Sequence, residues 1–279
     1  MNHLPDYYPK PKKRLGQHFL IDKNIINIII SSAEIKKEDI VLEIGAGKGE
    51  LTEYLCKICN VIAVEIDKNL SDILREKFQT FNNVKIIQND ILKIKFEELT
   101  HAPPEGARLK IIGNIPYYIT TPVLFKLIEN KKYLDTVLLM VQKEIAKRIV
   151  SKSGNKDYGV LSIMTQYHTE PKIVKIVSNN CFYPKPKVDS AIVKFRMLDK
   201  PKYKVEDENL FINLVRASFQ QRRKIFKSAL LRLGYEEGVI KNIFNSLKLD
   251  LKIRGEDLSI EQFIAFSNLL KIKKGSESF

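Results

Sequence analysis

The chain has 279 residues, of which 44% are hydrophobic and 29% are charged. This balance excludes a disordered polar chain and a membrane bundle, and the length predicts about two domains. The 47 lysine and arginine residues outnumber the 33 aspartate and glutamate residues, which gives a net charge of +14. Such an excess favours a polyanionic partner, either nucleic acid or an anionic membrane surface.

The cysteines and the N-terminal residues indicate the cellular compartment. Cys56, Cys59 and Cys181 are too few, and odd in number, for the disulfide framework of a secreted protein. Residues 1–13 are polar and lack the apolar segment of a secretory signal, and no stretch is long and apolar enough to span a membrane. We therefore expect a cytoplasmic protein that does not bind membranes. The Cys56-x-x-Cys59 pair lacks a second pair, so we expect buried thiols and no metal site.

The first half of the chain alternates short β-branched runs with helical periods, which is typical of a parallel sheet covered by helices. A first helix is predicted over residues 23–32, with Asp22 as its N-cap. Strands are predicted at residues 40–44, 61–65, 84–88, 109–112 and 136–140. Crossover helices are predicted at residues 50–58, 68–78 and 121–130.

The pattern changes near residue 199. Before it, strands are predicted near residues 172–177 and 191–195, on either side of the turn-rich segment 181–187. Beyond the proline- and lysine-rich segment 199–204, only helical periods occur, at residues 209–219, 222–233, 236–246 and 259–271. We therefore predict an α/β domain with a basic N-terminal arm over residues 1–199 and an all-helical domain over residues 200–279.

A glycine loop follows the first predicted strand. Gly45, Gly47 and Gly49 permit a tight turn and close approach of the backbone to a ligand. Glu65 ends the second strand, where its carboxylate can accept hydrogen bonds from both hydroxyls of a ribose. The G-x-G-x-G spacing, with Glu43 two positions before it, differs from the dinucleotide pattern G-x-G-x-x-G. It therefore favours S-adenosylmethionine over a nicotinamide cofactor, and an ordinary strand-to-helix turn is the structural alternative.

Asp90 lies two residues after the third predicted strand, at its carboxyl end. Its carboxylate can accept a hydrogen bond from an adenine amino group, or it can cap the turn that follows. The carboxyl ends of parallel strands meet at one edge of a sheet, so Asp90 is expected beside Gly45 and Glu65. This shared edge favours the ligand role.

The segment Asn114-Ile115-Pro116-Tyr117 follows the fourth predicted strand. An aromatic amine is a poor nucleophile because its lone pair is delocalised into the ring. The Asn114 side-chain oxygen and the Ile115 carbonyl can accept the two amino hydrogens, which favours a tetrahedral nitrogen aimed at a methyl donor. Pro116 fixes the turn, and Tyr117 offers a face on which an extruded base can stack. The structural alternative is a rigid loop whose tyrosines are core aromatics.

Several segments together resemble one protein family, the ribosomal RNA small-subunit adenine dimethyltransferase A family. They read LGQHFL (15–20), EIGAG (43–47), NIPYYIT (114–120), VQKE (141–144), YGVLS (158–162), FYPKPKVDS (182–190) and FQQRRK (219–224). The similarity extends from about residue 12 to residue 270, and NIPY resembles the N-[LI]-P-Y motif of adenine-amino methyltransferases. The chain is also similar, less fully, to the large-subunit rRNA adenine methyltransferases that confer macrolide resistance. Tyr118, Thr120, the segment 158–162 and the basic residues 222–224 favour the small-subunit family.

The resemblance implies a Rossmann-like, S-adenosylmethionine-dependent methyltransferase domain followed by a small helical domain. It implies dimethylation of the amino groups of two adjacent adenosines near the 3′ end of 16S rRNA, in the 30S subunit or its precursor. The candidate cofactor-binding residues are His18, Leu20, Gly45, Gly47, Glu65, Asp90 and Asn114. The candidate catalytic residues are Asn114, Ile115, Pro116, Tyr117 and Phe182, with Tyr117 and Phe182 on the two faces of a flipped adenine.

Two basic clusters are candidates for phosphate contacts. They consist of Lys12, Lys13 and Arg14 and of Arg222, Arg223 and Lys224. Clusters of basic residues usually lie on a solvated surface without binding a ligand. Here the net charge of +14 favours contact with RNA. We expect a monomer that binds rRNA. The alternatives left open are a 23S rRNA methyltransferase of the resistance type, an assembly factor that binds RNA and retains the fold, and a nicotinamide-dependent oxidoreductase.

Overall fold

The computed structural model describes residues 10–99, 108–198, 200 and 202–276. Its contacts divide the chain into two compact units. The first unit consists of Met1–Ala146 and Glu170–Met197, and the second consists of Lys147–Thr169 and Leu198–Phe279. Within the described residues, no helix combines the length and the apolar character needed to cross a bilayer.

The first unit is built on a mostly parallel sheet. The strands are β1 (Phe19–Leu20), β2 (Ile40–Ile44), β3 (Asn60–Glu65), β4 (Val84–Gln88), β5 (Leu109–Asn114), β6 (Leu134–Gln142), β7 (Thr169–Val177), β8 (Phe182–Tyr183) and β9 (Ser190–Met197). Seven of them form one sheet in the order β4-β3-β2-β5-β6-β9-β7. The pairs from β4 across to β6 are parallel, and β9 is antiparallel to β6. This arrangement is a Rossmann-like α/β fold.

The predicted helices are all present, together with three that the periodicity does not predict, at residues 96–99, 143–150 and 160–168. The helices are α1 (Lys23–Ala33), α2 (Glu50–Leu55), α3 (Lys68–Lys77), α4 (Phe96–Leu99), α5 (Thr120–Glu129), α6 (Lys143–Val150), α7 (Val160–His168), α8 (Glu208–Gln220), α9 (Phe226–Arg232), α10 (Glu237–Ser246) and α11 (Ile260–Ser276). The predicted cap of α1 is confirmed, since the Asp22 carboxylate accepts a hydrogen bond from the Asn24 backbone N–H at 2.9 Å.

Two predicted helix bounds are wrong for identifiable reasons. α2 ends at Leu55, before the turn whose Cys56 and Cys59 carbonyls accept hydrogen bonds from the Asn83 side-chain amide at 2.7 and 2.8 Å. The helix predicted from residue 222 begins only at Phe226, whose N–H donates to the Ile253 carbonyl at 2.8 Å. That contact leaves the basic residues 222–224 in a turn before the helix.

The cores of the two units differ in composition. In the first unit, β2, β5 and β6 are almost entirely buried, as strands covered by helices on both faces must be. In the second unit, four buried phenylalanine rings pack edge to face or tilted at centroid distances of 5.1–6.2 Å. They are Phe226, Phe244, Phe263 and Phe266.

The segment Lys147–Thr169 belongs to the second unit, although the sequence pattern places all of residues 1–199 in one domain. The Arg222 guanidinium donates hydrogen bonds to the Lys156 and Tyr158 carbonyls at 2.7 and 2.8 Å. The Leu198 N–H donates to the His168 carbonyl at 3.2 Å. These bonds connect residues far apart in sequence, so local periodicity carries no sign of them.

Candidate active site

The carboxyl ends of β2, β3, β4 and β5 lie side by side at one edge of the sheet. Ile44 pairs with both Val64 and Gly113, and Glu65 pairs with Gln88. The strand order reverses between β2 and β5, which is where open α/β sheets bind ligands. A cavity at this edge is lined by every predicted cofactor-binding and catalytic residue: His18, Leu20, Gly45, Gly47, Glu65, Asp90, Asn114, Ile115, Pro116, Tyr117 and Phe182.

The glycine loop bends sharply at this edge. Gly45 has a φ of +72°, and a Cβ atom there would lie 3.3 Å from the Asn114 carbonyl oxygen. Gly47 has a φ of +59°, and a Cβ atom there would lie 3.2 Å from the Phe19 ring. Side chains at either position would therefore be strained and would crowd the loop, so both positions require glycine.

Glu65 is 5% exposed and ends β3 beside the loop. Its two carboxylate oxygens accept hydrogen bonds from the Gly47 and Asp67 backbone N–H groups, each at 2.9 Å. Each oxygen keeps a second lone pair, so the carboxylate can also accept two hydroxyl hydrogens. Burial raises the pKa of Glu65, and the two backbone N–H bonds oppose that shift. A buried acceptor of this kind suits the ribose of S-adenosylmethionine.

Asp90 caps the turn at residues 91–93 by accepting a hydrogen bond from the Leu92 N–H at 2.9 Å. The same residue lines the cavity and is half-buried. Because the cap uses Oδ1, the Oδ2 atom can still accept from a ligand amino group. The two interpretations of Asp90 are thus compatible, and its ligand role stays a prediction.

Asn114 is the last residue of β5, and its side-chain orientation is fixed by a backbone partner. Its Nδ2 donates to the His18 carbonyl oxygen at 2.9 Å. A carbonyl only accepts hydrogen bonds, so the amide nitrogen must face His18 and Oδ1 must be the free acceptor end of the amide. The next residue, Ile115, is buried and donates its N–H to the Met140 carbonyl at 3.4 Å. These contacts hold the motif rigidly at the end of the strand.

The aromatic residues predicted to hold a base lie in two environments. The Tyr117 hydroxyl pairs with the Ser190 hydroxyl at 2.9 Å, and its ring stacks on the His18 imidazole with centroids 6.0 Å apart. Burial raises the pKa of Tyr117, so its phenol is neutral at pH 7. Phe182 is 3% exposed and packs into the apolar core while also lining the cavity. That the two rings stack on opposite faces of one base stays a prediction.

His18 lines the cavity and also takes part in packing. Its Nδ1 lies 2.6 Å from the Pro184 carbonyl oxygen, so Nδ1 must carry the proton and donate. This bond fixes the ring orientation against Tyr117. The cavity-lining role expected for His18 therefore does not require acid–base chemistry.

The basic clusters are only partly available to RNA phosphates. The Lys12 ammonium forms an ion pair with Asp67 at 2.7 Å, and the Arg222 guanidinium is bound to two carbonyls and to Glu256. Each of these two residues has a protein acceptor distant in sequence, which a charge run does not reveal, and its contact with RNA stays a prediction. Arg222 is nevertheless exposed, as are Lys13, Arg14, Arg223 and Lys224.

Replacing Arg223 and Lys224 by alanine is expected to weaken RNA binding and to flatten its salt dependence by about 0.7–0.9 in log–log slope for each lost phosphate contact. Arg222→Ala should instead lower the stability of the second unit, because it leaves the Lys156 and Tyr158 carbonyls without their donor. Fluorescence titrations at several salt concentrations, together with urea unfolding, separate the two effects. An unchanged salt slope in the double variant would remove these residues from the RNA contact.

Two buried carboxyls support the site: the sequence pattern includes Glu43 only as part of the glycine-loop motif, and it gives no role to Asp67. Glu43 is 3% exposed, and its Oε2 accepts a hydrogen bond from the Thr52 hydroxyl at 2.6 Å. Asp67, two residues after Glu65, is equally buried and contacts both Lys12 and Gln17. Its only local signal is its position as the N-cap of α3. Cys56 and Cys59 are buried free thiols, as expected.

Glu43 is expected to make folding stability depend on pH. Burial raises its pKa from 4.5 to about 8, so between these values the folded chain holds a proton that the unfolded chain has lost. Stability from this group therefore falls as pH rises, by at most about 1.4 kcal/mol per pH unit. Glu43→Gln cannot ionise and should remove that slope in urea unfolding. A difference between wild type and variant that stays flat across this window would contradict the assignment.

Comparison with known proteins shows the family of the chain. A model of the family described as ribosomal RNA adenine dimethylase matches residues 9–271. The chain is 41% identical over 273 residues to the ribosomal RNA small subunit methyltransferase A of Clostridioides difficile (strain 630), covering 97% of this chain and 94% of that protein. It is 42% identical to the protein of the same name from Lachnoclostridium phytofermentans, covering 94% and 92%.

Two solved structures are similar to the chain over most of its length. The dimethyladenosine transferase from Plasmodium falciparum has a TM-score of 0.76 and 28% identity, covering 93% of this chain and 98% of that chain. The 23S rRNA methyltransferase ErmE has a TM-score of 0.70 and 27% identity, covering 91% and 99%. The chain therefore belongs to the ribosomal RNA adenine dimethylase family and is a methyltransferase that uses S-adenosylmethionine.

Proposed function

We propose that this enzyme dimethylates the amino groups of two adjacent adenosines near the 3′ end of 16S rRNA, in the 30S subunit or its precursor. The observation that carries the proposal is the fixed Asn114 amide. Its Nδ2 is bound to the His18 carbonyl, so Oδ1 is the acceptor available to a substrate amine. The same cavity is lined by Glu65 and by Gly45 of the glycine loop, which suit a nucleoside-type methyl donor.

The proposed residues promote methyl transfer by positioning the adenine amine. S-adenosylmethionine supplies an electrophilic sulfonium methyl group when bound. Asn114 Oδ1 and the Ile115 carbonyl accept the two hydrogens of the adenine amine, which localises the nitrogen lone pair and directs it at the methyl carbon. Pro116 has no N–H and fixes the turn that presents these acceptors. Tyr117 holds the base by stacking, with its hydroxyl anchored on Ser190.

Methyl transfer requires no nucleophilic side chain, because the adenine amine is itself the nucleophile. The nitrogen lone pair forms the new N–C bond, the sulfur keeps the electron pair of the broken S–C bond, and the methylated aminium releases a proton to water. The product amine has one hydrogen left, so only one of Asn114 and Ile115 accepts during the second transfer. The spent cofactor must be exchanged for a fresh molecule between the two transfers.

The choice of ribosomal subunit rests on the relatives. The relatives at 41–42% identity are named small-subunit methyltransferases, whereas the 23S rRNA enzyme ErmE is 27% identical. Higher identity over nearly the whole chain favours the 16S substrate. We propose that the enzyme acts as a cytoplasmic monomer and that Arg223 and Lys224 of its second unit contact rRNA phosphates.

Nucleoside mass spectrometry tests the proposal directly. The enzyme is incubated with methyl-labelled S-adenosylmethionine and, separately, with 30S and 50S ribosomal material that lacks adenine dimethylation. Labelled dimethyladenosine from the 30S material alone is the expected result. Label confined to 50S RNA would move the chain to the resistance type of activity. No label in either, with RNA binding retained, would favour an assembly factor.

A further inference from the structure

Asp67 links the N-terminal arm, defined here as residues 12–20, to the cofactor-binding edge of the sheet. Its carboxylate is 2% exposed and accepts hydrogen bonds from Lys12 Nζ at 2.7 Å and Gln17 Nε2 at 3.0 Å. Its own backbone N–H donates to Glu65 Oε1 at 2.9 Å. One buried residue therefore contacts the arm through its side chain and the predicted ribose acceptor through its backbone.

The arm is closed on itself at the same point. The Lys12 N–H donates to Gln17 Oε1 at 2.7 Å, so Gln17 bonds to both Lys12 and Asp67. Gly16 sits at the turn between them with a φ of +59°. We call Lys12, Gln17 and Asp67 the arm latch. Each of the three residues hydrogen-bonds to the other two.

Beyond the latch, the arm forms part of the active site. The His18 carbonyl orients the Asn114 amide at 2.9 Å. The Phe19 ring lies against Gly47, with the Lys48 ammonium 4.7 Å from its centroid. Leu20 pairs with Phe182 across β1 and β8. The arm therefore carries the contact that selects which end of the Asn114 amide faces the substrate.

Hydrogen-bond donors keep the Asp67 carboxyl group ionised. Burial opposes ionisation, but the hydrogen bonds from Lys12, Gln17 and the Asn69 N–H together keep the pKa of Asp67 below its ordinary value. The carboxylate is consequently ionised at pH 7 and pairs with the Lys12 ammonium at 2.7 Å. Removing Lys12 leaves the Asp67 carboxylate buried without a counter-charge, whereas the Lys12 ammonium is 32% exposed and stays hydrated when Asp67 is removed.

We propose that Asp67 is a positioning residue, which fixes the N-terminal arm through Lys12 and Gln17 and thereby sets the orientation of the Asn114 amide for methyl transfer. The proposal rests on the proposed function for its catalytic consequence. When the latch is open, the His18 carbonyl leaves Asn114 Nδ2, and the amide is free to turn its nitrogen toward the substrate amine. The arm also ceases to cover the glycine loop, which weakens cofactor binding.

Asp67→Asn and Lys12→Met open the latch by different routes. The Asp67→Asn variant keeps an oxygen that can cap the Asn69 N–H, so α3 retains its N-cap. Lys12→Met changes only the arm, and Lys12→Arg should keep the ion pair and restore activity. Asp72→Asn is the matched control, because Asp72 is an exposed carboxylate on the same helix, paired with Arg75.

The expected result for Asp67→Asn and Lys12→Met is a roughly 10- to 100-fold lower rate of single-turnover transfer at saturating cofactor, the scale of a small misplacement of reacting groups. The S-adenosylmethionine dissociation constant should rise in calorimetry, and the double variant should be no worse than Asp67→Asn alone. A purely structural role would lower stability while leaving the saturated rate unchanged. That outcome would overturn the proposal.

Trypsin gives a readout that does not depend on activity. Arg14 is exposed within the arm, and the rate of cleavage after it reports how often the arm opens. Cleavage should accelerate in Asp67→Asn and stay at the wild-type rate in Asp72→Asn. Equal rates in the two variants would show that Asp67 does not hold the arm. If the wild-type protein forms no dimethyladenosine, the proposed function is wrong. The cleavage assay still shows whether Asp67 holds the N-terminal arm in place.

Discussion

Asn114→Ala is expected to lower the rate of methyl transfer by about 100- to 1,000-fold, the usual effect of removing one preorganised hydrogen-bonding group from a catalytic site. Alanine removes Oδ1, the acceptor that localises the lone pair of the adenine amine. It also removes the Nδ2 donor to the His18 carbonyl. Single-turnover transfer to unmethylated 30S material, with the label counted in dimethyladenosine, measures the loss.

A matched variant separates catalysis from general damage. Asn130 also donates its side-chain amide to a backbone carbonyl, that of Lys126 at 2.8 Å, but it does not line the cavity. Asn130→Ala should therefore keep the wild-type transfer rate, apart from any loss of stability. If Asn114→Ala transferred methyl groups as fast as Asn130→Ala, the positioning mechanism would be wrong.

Asn114→Asp distinguishes the two ends of the amide. The aspartate keeps an oxygen that can face the substrate amine, but its second oxygen opposes the His18 carbonyl, where two acceptors repel. We expect a loss of transfer nearly as large as that in Asn114→Ala, because the side chain turns away from its position. Near-normal transfer in Asn114→Asp would mean that the bond to His18 does not set the orientation.

Local sequence signals predicted the sheet and the candidate ligand edge well. The Asp22 cap, the glycine loop and the β-branched strands depend on residues close together in the chain, so their patterns are legible before folding. β2 and β4 have the predicted bounds, and the other central strands extend beyond their predicted cores. The apolar strand runs also indicate burial on both faces, which the structure confirms for β2, β5 and β6. The same expectation is wrong for β4, which lies at the edge of the sheet and is only partly buried.

The supporting contacts could not be predicted because they join distant parts of the chain. Asn114 was recognised as an acceptor, but the group that fixes its orientation is a backbone carbonyl 96 residues earlier. Every residue has a backbone carbonyl, so the residue type does not indicate which carbonyl accepts a hydrogen bond. Lys12 and Arg222 are candidate phosphate ligands by sequence, and in the structure each contacts an acceptor more than 30 residues away. Charge runs therefore indicate an electrostatic character but not which members are available.

Glu65→Gln is expected to raise the dissociation constant of S-adenosylmethionine by about 100-fold, which corresponds to about 2.7 kcal/mol. The groups that hydrogen-bond to the Glu65 carboxylate are donors: the backbone N–H groups of Gly47 and Asp67 and the ribose hydroxyls it is proposed to bind. A glutamine amide has only one acceptor oxygen, so its NH₂ must oppose a donor in either orientation. Isothermal titration calorimetry on the protein alone measures the change without any RNA.

The pH dependence of cofactor binding gives an independent check on Glu65. Burial raises the pKa of Glu65, and only the ionised carboxylate can accept from all of its donors. Hydroxyl donors from the cofactor favour the ionised form further, so binding releases a proton when the free carboxyl is protonated. Affinity should therefore weaken as pH falls below the raised pKa, by up to about tenfold per pH unit for one proton.

Glu65→Gln has no proton to release at this position, so the acid-side slope attributable to Glu65 should vanish in the variant. Glu43→Gln, which alters the neighbouring buried carboxyl, should keep that slope, because Glu43 bonds to Thr52 and not to the glycine-loop N–H groups. Calorimetry in two buffers of different ionisation enthalpy counts the released proton directly. An equal proton count in wild type and Glu65→Gln would place the cofactor hydroxyls elsewhere, and the carboxylate would then serve only to brace the backbone at Gly47 and Asp67.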